Sequence, residues 1–263
     1  MSELFKKNVK IKSSFIGGFG ASFASFKFIR KNKSILFFYI IPFLLNILIL
    51  SLLLYLAWIN IFPFLKNHLT GDAWYFTFLK PLLVPILLIF LFFITTVVYG
   101  FIGNILCSPF LNALSQKTQE IISGKKNDKP LSLKDSLEDF TRTFKNFFKM
   151  FFVIIIVYIL SLFLLLIPLI GAMIYSMIGY FITSFILGLQ FLDYPLDRRK
   201  YTFKEKLKIV WKFKYSTIGL GISYLIVSMI PIFGFLGINM CIMGASSIFE
   251  KNISPALSEY KIS

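Results

Sequence analysis

Side chains able to do acid/base, nucleophilic or metal chemistry are sparse in this chain, and none lies inside a long apolar run. The sole histidine, His68, has no cysteine, serine or carboxylate pattern beside it, so neither a metal set nor a nucleophile pair is read there. Cys107 and Cys241 lack C-x-x-C spacing and read as small packed hydrophobes. Gly17, Gly18 and Gly20 follow no strand, so they do not form a nucleotide fingerprint. Asp193 and Asp197, in Asp-Tyr-Pro-Leu-Asp, read as structural caps. A proton relay or carboxylate cation site would need ionisable groups at membrane depth, and an embedded hydrolase would need acid/base pairs. The inventory therefore points away from an enzyme, and no cofactor or metal site is read. What remains is basic charge flanking apolar segments, broken helices whose N–H groups can meet an anion, and scattered Ser, Thr, Asn and Gln. That set suits an anion path better than a cation path. Basic residues that only orient the chain and touch anionic lipid explain the same pattern.

The elements that must position these groups are apolar helices. At 57% hydrophobic and 15% charged, the composition is that of an integral membrane protein, all-α in class. The net charge of +16 sits between the apolar runs, where topology accounts for it without nucleic acid. No secretory signal is read, because the first apolar run is long and follows a basic leader.

Two uncharged runs dominate, between Lys149 and Asp193 and between Lys214 and Glu250. Each breaks midway at Ile-Pro-apolar-apolar-Gly, at Ile167 to Gly171 and at Ile230 to Gly234. Proline stops a helix and glycine is expected to supply the positive φ that reverses it, so each run reads as a helical hairpin. The arms of the second, Tyr215 to Ile230 and Phe235 to Phe249, hold about 15 or 16 residues each, roughly 24 Å against a bilayer core of roughly 30 Å. It is expected to enter the membrane and turn back; for the first hairpin either depth fits.

One membrane domain over residues 1–263 is expected. Residues 1–33 form a basic interfacial segment in which Phe15, Phe19, Phe23 and Phe26 share one helical face. Residues 34–62 and 81–106 are two transmembrane helices, the second opened by Pro81 and Pro85 and broken at Ser108-Pro109. Between them, residues 63–80 form a connecting segment on the periplasmic side. Residues 107–149 are cytoplasmic helices, with a stop at Gly124, an N-cap at Ser132 paired with Asp135, and a stripe from Leu137 to Phe151. The first hairpin covers 150–192, a basic cytoplasmic connector 193–214, and the second hairpin 215–249. In the connector Pro195 is expected to end the incoming helix and Thr202 with Glu205 to cap the next. The tail from Lys251 reads as short and polar.

The block from Gln190 through Asp193-Tyr194-Pro195-Leu196-Asp197 and Thr202 to Glu205, on to Ile230-Pro231 and Gly244-Ala245, resembles the CysZ family of bacterial sulfate permeases, also called the etoposide-induced domain family. Ser108-Pro109-Phe110, Ile167-Pro168 with Gly171, and Pro42 with Asn46 support it. The resemblance implies a multi-pass permease of the bacterial cytoplasmic membrane, with its N-terminus cytoplasmic, that supplies sulfate for cysteine synthesis. It further implies two long crossing helices, two partly penetrating hairpins and a homo-oligomer, with sulfate or a related small anion and the lipid bilayer as partners. The family's Gly-x-Arg before the Pro42 motif, where its sulfate is held, is replaced here by Ser34-Ile35-Leu36-Phe37. Arg30, Lys31 and Lys33, with the Ser34 hydroxyl, are then expected to form a displaced anion site. A different small solute, or a non-transporting partner or assembly role, is the alternative.

Overall fold

An isoleucine held extended in front of a proline makes each hairpin turn. A computed structural model describes residues 13–68, 74–124, 152, 155–168 and 170–261. Ile167 (φ −83°, ψ 112°) and Ile230 (φ −101°, ψ 111°) are both extended, the conformation that a following proline imposes. The glycines do not reverse the chain, contrary to expectation. Gly171 begins one helix, Gly234 lies in the first turn of another, and the left-handed residues among those described are Gly124 and Lys200. Gly171 serves close approach instead, since a Cβ there would lie 2.1 Å from the Leu164 carbonyl oxygen.

The helices in order are α1 (Phe15–Lys31), a 3-10 turn (Lys33–Ile35), α2 (Leu36–His68), α3 (Trp74–Ser123), α4 (155–162) with a 3-10 extension (Phe163–Leu166), and α5 (Gly171–Arg198). Then come α6 (Phe203–Lys212), α7 (Lys214–Ser228), α8 (Pro231–Ile248), a π-turn (Phe249–Ile253) and α9 (Ser254–Lys261). The described residues are helical with no strand, which is the all-α class expected. Among the described residues, three stretches are long and apolar enough to cross a membrane: Lys33–Asn60, Gly171–Arg198 and Phe233–Ser258.

Several boundaries differ from the sequence reading. α2 runs on through Pro63 to His68 and α3 starts at Trp74, so most of the expected 63–80 connection is helical. α3 also continues through Pro81, Pro85 and Pro109. A proline removes one hydrogen bond, but packing on both sides of it can hold the helix together. Beyond Pro109 that packing comes from Leu111, Leu114, Ser115 and Thr118, all buried, and Gly124 at φ 69° ends the helix as expected. Pro195 is buried inside α5, which ends three residues later at Arg198 rather than at the proline. The tail is helical through α9. Ser132, Asp135 and the Leu137 to Phe151 stripe lie outside the described residues.

The chain packs as two units, residues 1–39 with 111–263 and residues 40–110. In the first, α7 is central. Its small residues lie on two sides: Ser216, Gly219 and Ser223 meet α1, while Thr217 and Gly221 meet α5. A Cβ on Gly221 would sit 1.8 Å from the Ser184 carbonyl oxygen, and one on Gly188 would sit 2.0 Å from that of Thr217. The reciprocal pairs, Ser184 with Gly188 and Thr217 with Gly221, are spaced four apart on antiparallel helices. This is the small-xxx-small device that lets backbones touch. On α1 the buried face is Gly18, Ser22 and Ser25, whereas Phe15, Phe23 and Phe26 stay exposed. α1 therefore uses its small face to join the bundle and turns its phenyl face outward. At the end of α1, Ile35, Tyr39, Leu114, Met240 and Met243 form a buried apolar cluster.

In the second unit, Asn46 of α2 fastens the helix to α3. Its amide donates to the Pro42 carbonyl (2.7 Å) and to Cys107 Sγ (3.3 Å), and its Oδ1 accepts from Tyr99 Oη (2.8 Å). Gly103 leaves room for this amide, since a Cβ there would lie 3.3 Å from Asn46 Oδ1.

Gly221→Ala should separate α5 from α7 and cost about 3 kcal/mol, the upper range for overpacking. Gly20→Ala, where no atom lies within 4 Å, should be neutral or gain about 1 kcal/mol from helix propensity. Denaturant titration of the detergent-solubilised protein checks the pair, and equal effects would remove the close-packing account of α7.

Candidate functional site

The four expected anion-site residues are neighbours in space because they are neighbours in sequence. Arg30 and Lys31 occupy the last turn of α1, and Lys33 and Ser34 the 3-10 turn that follows. All four are exposed. Several backbone donors around them are already used. The Asn32 N–H donates to Phe28 and Ile29 carbonyls, Ile35 N–H to Asn32, and Leu36 N–H to Lys33. An anion here would rely on side chains, with cations that also complement the negative end of the α1 dipole.

The corner's position along the bundle was not legible in the sequence. Ser14 exchanges hydrogen bonds with Ser216 (Ser14 N–H to Ser216 Oγ 3.1 Å; Ser216 Oγ to Ser14 O 3.2 Å), and Ser22 Oγ meets Ser223 Oγ at 2.7 Å. α1 and α7 thus run parallel, and Arg30 lies about 24 Å along the helix from Ser14. Ser25 donates to the Met240 carbonyl at 3.0 Å and Tyr39 Oη reaches the Leu236 carbonyl at 3.4 Å, so the corner lies toward the turn of the α7–α8 hairpin. The start of α1 therefore lies beside Lys214, at the α6 end of α7, and Arg30 to Lys33 lie at the opposite end.

The connector holds the strongest electrostatic contact. Lys206, 2% exposed, donates from Nζ to Asp193 Oδ1 at 2.5 Å and to Asp197 Oδ1. Asp193 and Asp197 are one helical turn apart on α5, so one ammonium bridges both and binds α6 to α5. The aspartates are thus ion-pair partners rather than simple caps. Their spacing of four was the available signal, but the partner lysine, one of several on α6, could not be singled out without the fold. Arg198 Nη2 donates to the Asn112 carbonyl at 2.8 Å, tying the same end of α5 to α3. The capping pair forms as expected: Glu205 accepts from the Thr202 N–H (2.8 Å) and hydroxyl (2.7 Å). Those bonds, the backbone one first, hold the Glu205 carboxyl below the usual carboxylate range. Its cap is fully stabilising above that range and is lost as pH falls through the depressed value.

Cys241 lies buried among Ser22 Oγ (3.5 Å) and Ser223 Oγ (3.7 Å), and Cys107 beside Asn46, so both thiols pack within helix interfaces. Among the described residues no three His, Cys, Asp or Glu side chains converge as metal ligands would.

Lys206→Met leaves both carboxylates partly buried without their cation, and should destabilise the protein by about 3 kcal/mol. Adding Asp193→Asn and Asp197→Asn should restore most of the loss. Denaturant midpoints across this series check it, and a triple variant no more stable than Lys206→Met would show that the ion pairs are not the cause.

A comparison with known proteins matches residues 21–238 to the family described as sulfate transporter CysZ/etoposide-induced protein 2.4. A similar relative is the sulfate transporter CysZ of Vibrio atlanticus, 24% identical over 233 residues, which are 88% of this chain and 91% of that protein. The matched stretch runs from α1 into α8 and so holds the Pro42–Asn46 fastening, both Ile-Pro turns and the Lys206 clamp. By that coverage, the chain belongs to the sulfate transporter CysZ/etoposide-induced protein 2.4 family.

Proposed function

We propose that this protein is a sulfate permease of channel type. The observation that carries the reading is family membership over most of the chain, joined to an interior furnished with hydroxyls and amides. The apolar stretches 36–62, 171–192 and 231–249 hold no carboxylate, which suits an anion, because a fixed negative charge at that depth would repel it. Sulfate would be drawn by cationic side chains at both ends of the first unit, Arg30, Lys31 and Lys33 at one and the α6 lysines at the other. It would exchange water for side-chain donors on a hydrated path, with the Ser34 hydroxyl among them. No coupling step is needed, and the sulfate delivered would serve cysteine synthesis.

The topology that fits is a multi-pass protein of the bacterial cytoplasmic membrane acting as a homo-oligomer. The start of α1 and the α6 connector would lie on the cytoplasmic side. α7 has 15 residues, about 22 Å, which supports a second hairpin that turns back before crossing. The Arg30 to Lys33 corner would then lie at the depth of that turn, where weaker screening makes each cation count for more.

Labelled sulfate should enter proteoliposomes containing the protein saturably and above empty vesicles. Arg30→Gln/Lys31→Gln/Lys33→Gln should weaken sulfate binding roughly tenfold or more, the loss of at least one charge-assisted contact. Flux by wild type with unchanged binding in a folded triple variant would move the site elsewhere. Absence of flux from folded, inserted wild type would sink the permease reading itself.

A further inference from the structure

The outward stripe of α6, counted above only among the cations that draw sulfate, also carries aromatic side chains. Lys204, Lys208 and Trp211 recur at four and three, which places them on one helical face. All three are exposed, Trp211 by 62%. The opposite face is buried through Lys206, Ile209 and Val210, so the Asp193 and Asp197 carboxylates fix which side of α6 points outward. Trp211 rests on Phe185 (centroids 5.7 Å, edge-on), and the Lys214 ammonium lies 5.4 Å from the centroids of both Trp211 and the exposed Tyr215. The acidic residue of α6, Glu205, is turned back onto Thr202. The outward face is therefore cationic and aromatic.

Its neighbours decide what covers it. α6 begins five residues after the end of the candidate span Gly171–Arg198, and the apolar α7 begins two residues after α6 ends. Short tethers at both ends hold α6 at the surface of the bilayer those helices enter. Lysines on a helix at that level meet lipid phosphates, and an exposed indole suits the boundary between headgroups and acyl chains. We propose that α6 is a docking surface for anionic phospholipid headgroups, bound by Lys204 and Lys208 with Trp211 inserted at the interface. An acidic protein segment would satisfy the lysines but leave the indole and Tyr215 without an apolar medium.

The test uses the full chain with Trp58→Phe and Trp74→Phe, which leaves Trp211 as the single tryptophan. It is reconstituted in phosphatidylcholine vesicles with a minor fraction of phosphatidylglycerol, brominated on one lipid or the other. Brominated phosphatidylglycerol should quench Trp211 more than an equal fraction of brominated phosphatidylcholine. The local enrichment read from that ratio should fall roughly fivefold for each lysine in Lys204→Gln and Lys208→Gln. Lys204→Arg/Lys208→Arg should keep it, which separates charge from misfolding, and added salt should lower it. Equal quenching by the two lipids, or enrichment unchanged in the Gln variants, overturns the proposal. Quenching by neither lipid also overturns it and turns the face toward a protein partner.

Discussion

Close approach of helix backbones along α7 is the constraint on which the first unit depends. Between apolar helices in lipid there is little hydrophobic gain from association, because acyl chains are as apolar as the side chains they would be exchanged for. What remains is dispersion between surfaces that fit and hydrogen bonds that need no water. α7 supplies both with small residues on two sides. Gly221 against Ser184, Thr217 against Gly188, and Gly219 against the Phe15 carbonyl leave no room for a methyl group. The serine pairs, Ser22 with Ser223 and Ser115 with Ser246, satisfy hydroxyls that would otherwise be costly at that depth.

The same seam explains why charge can be kept at the ends. Lys206, Asp193 and Asp197 form a compact group in which each partner's desolvation is offset by the other, so α6 is fixed to α5 without long apolar side chains. That attachment orients the rest of α6, turning its remaining lysines and Trp211 outward. At the other end, the Arg30 to Lys33 corner is carried by α1, whose small face is seated on α7 and α8. One bundle thus presents cations at two ends about one α1 length apart while its middle stays uncharged, an arrangement suited to an anion that must enter and leave.

Prolines show how the same residue gives different outcomes. Pro168 and Pro231 follow extended isoleucines and sit at true turns, whereas Pro42, Pro109 and Pro195 are carried inside helices. The difference is in the partners of the flanking residues. At Pro42 the Asn46 amide crosses to α3, and at Pro195 the residues on either side are held by Lys206 and Arg198. Where such contacts exist, the lost hydrogen bond is compensated and the helix continues.

The sequence by itself determined the class and the punctuation. Uncharged runs of these lengths can be buried only in lipid or in a protein core, which made the all-α membrane reading secure, and both Ile-Pro turns, the Gly124 stop and the Thr202–Glu205 cap followed from local backbone chemistry. The family resemblance was legible in the Asp-Tyr-Pro-Leu-Asp block for the same reason. Tertiary structure alone decided the rest, because it depends on which faces meet. The phenyl stripe of α1 was visible, yet its small face does the packing. The aspartates were visible, but their shared lysine was not. Several prolines that should have broken helices are overruled by packing. The parallel course of α1 and α7, which sends Arg30, Lys31 and Lys33 away from the α6 lysines, has no signal in local sequence, since direction is set by contacts some 200 residues apart in the chain.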